Sequence, residues 1–106
     1  MTWSKKSLSH DYDERHIPLT DKTWEKMRAG AVCLRDCEEI GEHSTEDGEE
    51  VLVILSGKGS AFVDGEEIEI SGGDVLHFGK HTVHNIVAKE GHILRYIYIY
   101  AGSKKR

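Results

Sequence analysis

The chain has little that would anchor it, cross-link it or stiffen it. Its longest aliphatic run, Val51 to Leu55, falls far short of the roughly twenty residues a membrane helix needs. No apolar segment follows the charges of Met1-Thr-Trp-Ser-Lys-Lys, so no secretory leader is visible and a cytoplasmic protein is expected. Cysteine is scarce. Cys33 and Cys37 would lie about 13 Å apart in one extended strand, and a disulfide needs Cα atoms within about 7 Å. Two buried, reduced thiols are expected, and Cys-x-x-x-Cys is not a usual zinc spacing. Proline occurs once, at Pro18, which marks Ile17-Pro18-Leu19 as an extended edge segment. Basic charge is also in deficit, with 14 Lys and Arg against 19 Asp and Glu, and the basic pairs and triplets sit at the two ends. That pattern argues against a nucleic-acid partner.

What the chain does have is turn residues at short intervals. From Ala31 onward they recur at Gly41, Asp47-Gly48, Gly57-Lys-Gly59, Asp64-Gly65, Gly72-Gly73, Gly79 and Glu90-Gly91, with short β-rich runs between them. Regular short strands of this kind predict an all-β sandwich or barrel. Asp64-Gly65 is the clearest hairpin, because a two-residue turn of that type needs positive φ at both positions. Ahead of the strands, residues 1–30 read as a polar arm followed by a short helix. Thr20 would cap that helix, Asp21–Arg28 would form it, and Gly30 would close it, with Trp24 and Met27 on one face. Residues 31–101 would form the barrel, and 102–106 a basic tail. Val51–Leu55 and His92–Tyr100 are apolar on both faces, so each needs cover on both sides. A homodimer interface is the simplest cover.

The chemistry concentrates in two stretches. Gly41–Gly57 places His43, Thr45 and Glu49-Glu50 ahead of an apolar strand, and Gly73–His84 ends a second strand on His84. If the first strand is extended, Glu50 shares a face with Leu52 and Ile54 and enters the core, while Glu49 points outward. The opposite register would put Glu49 inside and Glu50 in solvent. A buried carboxylate is costly unless a cation or donors accompany it.

These two stretches resemble the paired motifs of the cupins. In the first, His43, Glu50 and Gly57 match the family's histidine, glutamate and glycine, with Thr45 at the second histidine position. In the second, His84 matches the histidine, with Gly79 where proline is usual, His81 where glycine is usual and Ala88 where asparagine often follows. The resemblance covers roughly residues 31–100. It implies a double-stranded β-helix, or jelly-roll barrel. It also implies a divalent transition metal (Fe, Mn, Ni or Zn) held by His43, Glu50 and His84, with Thr45 at the fourth position.

Two imidazoles and a carboxylate suit non-haem Fe(II) in particular and leave coordination positions open. His77 or His81 could add a third imidazole, and His77 is also the candidate general base. Tyr96 or Tyr98 could line the pocket. The other reading is a metal-free barrel in which His43, Thr45 and His84 hydrogen-bond around Glu50. Two functions therefore stand open. One is a metal-dependent enzyme, dioxygenase-like or isomerase-like, acting on a small polar metabolite; the other is a non-catalytic module that binds or senses a small sugar or organic acid.

Overall fold

In the computed structural model, residues 3–102 are described, so the terminal Lys104-Lys105-Arg106 and most of the expected basic tail lie outside the described residues. Nine strands follow in order: β1 His16–Pro18, β2 Met27–Arg35, β3 His43–Ser44, β4 Glu49–Ser56, β5 Lys58–Val63, β6 Glu66–Ser71, β7 Val75–Phe78, β8 Val83–Ala88 and β9 Ile93–Ala101. They form two antiparallel sheets. The first has the order β1-β2-β9-β4-β7 and the second β3-β8-β5-β6. This is the all-β, two-sheet arrangement that the turn spacing anticipates, and it has the jelly-roll architecture that the motif resemblance implies.

Strand parity builds the interior. Leu52 and Ile54 of β4, Val32 and Leu34 of β2, and Leu94 and Tyr96 of β9 are all buried and meet Ala61, Ile86 and Ala88 of the second sheet. Glu50 belongs to the same buried face and Glu49 is exposed. The Asp64-Gly65 turn has φ of 49° and 87°, so β5 and β6 pair as a tight hairpin, as expected. Gly57 needs its glycine for two reasons. Its φ is 86°, and a Cβ there would run into the carbonyl oxygen of Ile93.

The N-terminal region differs from expectation. No helix forms over residues 21–28. Asp21 instead accepts hydrogen bonds from the Thr23 amide at 2.8 Å and hydroxyl at 2.6 Å, a local turn that competes with helical backbone bonding. Met27 and Arg28 then enter β2 and pair with Ala101 and Tyr100 of β9. The Thr20 hydroxyl accepts a bond from the Ala29 amide at 3.3 Å, tying the segment across the turn rather than capping a helix. Long-range pairing outweighs the local helical spacing of Trp24 and Met27.

The arm ahead of β1 covers part of the first sheet's outer face. Tyr12 is buried there, and its hydroxyl donates to the carbonyls of Val32 at 2.8 Å and Tyr96 at 3.3 Å. Leu8, Ile17 and Leu19 join it against Ala31, Cys33 and Ile97. The Arg95 side chain donates to the Tyr12 carbonyl at 2.7 Å and so holds the arm down. Val75, at the other edge of the face, remains 65% exposed. Both cysteines are free, but only Cys33 is buried. Cys37 lies past the end of β2 at φ 70° and is exposed, because the chain turns before reaching it. No helix among the described residues is long and apolar enough to cross a membrane.

A candidate metal centre of two histidines and a glutamate

Pairing between strands brings the distant motifs together. His43 of β3 is the register partner of His84 of β8, which places their rings side by side, with centroids 4.2 Å apart. Glu50 arrives from the opposite sheet. Its register partner Phe78 stacks on the His84 ring at 4.3 Å, so one aromatic side chain bridges the sheets beside the carboxylate. Ligand atoms of His43, Glu50 and His84 all lie within 4.8 Å of one another. Among the described residues this is the one such gathering of three His, Cys, Asp or Glu side chains.

The hydrogen bonds around the cluster prepare it for a cation. His43 Nδ1 lies 2.8 Å from the Gly41 carbonyl, and His84 Nδ1 lies 3.0 Å from the Thr82 carbonyl. A carbonyl can only accept, so each Nδ1 carries the proton and each Nε2 is left to act as a ligand. His84 Nε2 meets Glu50 Oε1 at 3.0 Å, with both side chains almost wholly buried. Burial alone would push the His84 imidazolium down. The Glu50 hydrogen bond, the Thr82 carbonyl and the Glu50 and Asp64 charges together outweigh it and raise the pKa. Two imidazoles with Nε2 available and one buried carboxylate are a donor set that fits a divalent transition metal.

The other three candidate residues, Thr45, His77 and His81, make contacts of their own instead of joining the cluster. Thr45 is buried beside the cluster, but its hydroxyl donates to the Gly79 carbonyl at 2.6 Å and accepts from the Thr82 amide at 3.0 Å. It therefore ties the β3–β4 loop to the β7–β8 turn, and a coordination bond would have to replace those contacts. His77 faces the wrong way for a base or a third imidazole. It pairs with Val51 on the outer face of the sheet, and its Nε2 meets the exposed Glu49 at 2.9 Å. Phe78, its neighbour, takes the inward position because side chains alternate along a strand. His81 is also exposed, beside Asp47 at 3.4 Å, with a φ of 54° at the position where a glycine is usual in the motif.

The cluster opens on a cavity of about 240 Å³. Leu52, Ile86 and Tyr96 supply its buried walls, and Arg28, His16 and Tyr98 line its more exposed side. Tyr96 and Tyr98 both line it, and Tyr96 belongs to the buried core as well. Burial raises the phenol pKa of both, so both stay protonated at neutral pH. Arg28 and His16 are the residues that sequence reasoning missed. The helical spacing of residues 21–28 obscures Arg28, yet the alternation Arg28, Gly30, Val32, Leu34 is the signal that places it on the inner face. A larger depression of about 590 Å³ lies against β5, β6 and β8, with Lys58, Ser60, Phe62 and Glu67 in its lining, away from the histidine–glutamate cluster.

Residues 30–100 match the family model for the cupin domain. A cupin protein from Bacteroides fragilis is 25% identical, and the match covers all of this chain and 89% of that one at a TM-score of 0.83. KdgF from a Halomonas species is 18% identical over 97% of each chain, at a TM-score of 0.77. A predicted oxalate decarboxylase from Thermotoga maritima is 23% identical over 71% of this chain and 65% of its own, at a TM-score of 0.68. At those identities the latter two speak to fold alone. No curated protein matches the sequence significantly. The two-sheet jelly roll and the family match over most of the chain lead to one conclusion: this protein belongs to the cupin superfamily, as a small cupin domain.

Proposed function

We propose that this cupin is a metal-dependent enzyme acting on a small polar metabolite, with the metal held by His43, Glu50 and His84. The observation that carries this reading is the gathering of those three donors within 4.8 Å at a cavity, both histidines having Nδ1 committed to a backbone carbonyl. A divalent metal bound there supplies a Lewis acid with coordination positions left open to a substrate. The chain's own residues do the rest. The Gly41 and Thr82 carbonyls hold the two rings in orientation. Phe78, Leu52 and Ile86 exclude water from the buried side. The cavity of about 240 Å³ is smaller than the roughly 300–1,000 Å³ of sites that take drug-sized ligands, which favours a small metabolite.

Of the two reaction types, oxidation fits better than isomerisation. Isomerisation needs a general base near the substrate, and His77 lies on the outer face of its sheet. A second reading, a metal-free binding module, draws on the direct 3.0 Å contact between Glu50 and His84, since a proton on His84 Nε2 donates to the carboxylate and the pair then needs no metal.

Elemental analysis of untagged protein purified without chelator separates the two. The enzyme reading expects near one equivalent of a transition metal, lost in both Glu50→Ala and His84→Ala. Protein that arrives metal-free and takes up no added Fe, Mn, Ni or Zn belongs to the second reading.

A further inference from the structure

The cavity has one permanently cationic side chain in its lining, Arg28, and its surroundings are unusual. The register runs Arg28 to Tyr100 between β2 and β9, and Tyr100 to Glu50 between β9 and β4. Arg28 and Glu50 therefore lie in one row across the sheet, two strand spacings or about 10 Å apart. The guanidinium carbon sits 5.4 Å from the Tyr100 ring centre and 5.7 Å from those of Tyr98 and Trp24. Gly30, the next inward position on β2, makes this packing possible, because a Cβ there would strike the Tyr98 ring. His16 Nε2 meets the Tyr98 hydroxyl at 2.7 Å and steadies that ring from the other side.

Among the described residues, no carboxylate comes within ion-pair distance of Arg28 and no hydrogen bond from its guanidinium is formed. The aromatic rings attract the cation through their π faces, so the fork of in-plane N–H donors that a guanidinium carries is not engaged by an acceptor among the described residues. A planar carboxylate fits such a fork with two parallel hydrogen bonds. The chain carries a net charge of −5, so attraction for an anion at this cavity is a local property of Arg28 and not of the whole surface.

We propose that Arg28 binds the carboxylate of a small organic acid whose remaining oxygens face His43, Glu50 and His84. The second half of that statement rests on the metal-site reading above; the carboxylate contact to Arg28 does not. A ligand of this class is held at both ends, by charge at Arg28 and by its oxygens at the histidine–glutamate cluster.

The test uses three acids beside their neutral amides: lactate and lactamide, malonate and malonamide, glucuronate and glucuronamide. Binding is measured by calorimetry on the full chain, metal-free and after zinc addition, for wild type, Arg28→Gln and Arg28→Lys. Arg28 is exposed, so both variants are expected to fold, and melting curves check this. At least one acid is expected to bind tenfold or more tightly than its amide. Arg28→Gln removes that preference, and Arg28→Lys, with charge but no fork, keeps only part of it. Equal binding of every acid and its amide, or a preference that survives Arg28→Gln, overturns the proposal. Zinc stoichiometry separates the two readings. An Arg28-dependent acid preference in a chain that binds no zinc upholds Arg28 and removes the metal site. One equivalent of zinc with no acid preference does the reverse.

Discussion

Replacing Thr45 with valine separates a strut from a ligand. The two side chains have nearly the same shape, so the change deletes one hydroxyl and leaves packing intact. That hydroxyl serves two backbone groups at once, the Gly79 carbonyl at 2.6 Å and the Thr82 amide at 3.0 Å, and Thr45 is only 2% exposed. Each backbone group loses its partner where water cannot easily replace it, at about 1–3 kcal/mol apiece. A destabilisation of about 2–6 kcal/mol is expected, which for a domain near this size lowers the melting temperature by roughly 10–30 °C. Thermal and urea unfolding of metal-free protein read this directly. Metal stoichiometry, measured on the folded variant, should stay at the wild-type value. The reverse result refutes the reasoning: metal-free Thr45→Val as stable as wild type, but with its metal lost. Thr45 would then be a ligand and its backbone contacts incidental.

Two other outcomes follow from the electrostatics. In metal-free protein the pKa of His84 is raised in the fold, chiefly by Glu50 against the opposing effect of burial. Its contribution to stability is fully present below the ordinary histidine value near 6.5 and is lost as pH rises through the raised folded value. Urea midpoints measured from pH 5 to 9 should show this decline, and His84→Asn should flatten it; an unchanged slope in the variant refutes the assignment. His77→Ala removes an exposed pair with Glu49 whose side chains are 60% and 56% accessible, so it should cost less than about 1 kcal/mol. Metal content and any turnover should not change, and loss of either restores His77 to the site.

Several features of the fold were legible because they depend on short stretches of chain. The Asp64-Gly65 hairpin needs only two residues that accept positive φ. The inward Glu50, Leu52 and Ile54 follow from the two-residue period of a strand, and Gly57 marks a turn where a Cβ has no room. The histidine–glutamate cluster was legible through motif resemblance. The helix expected over residues 21–28 failed because local spacing says nothing about β9, which claims Met27 and Arg28 as register partners. That error also hid Arg28, since a helical residue has no place in the inner row of a sheet.

The division follows from distance along the chain. Backbone conformation and strand parity are set by neighbouring residues, so the sequence by itself determined that this is an all-β chain with Glu50 turned inward. Contacts between remote strands depend on sheet order and register. Only the tertiary structure decided that Thr45 spends its hydroxyl on Gly79 and Thr82, and that His77 faces outward beside Glu49. It also decided that Arg28 looks into the cavity that His43, Glu50 and His84 share. Arg28 joins that cluster from β2 without any motif to link them in the sequence, because long-range pairing is what makes them neighbours.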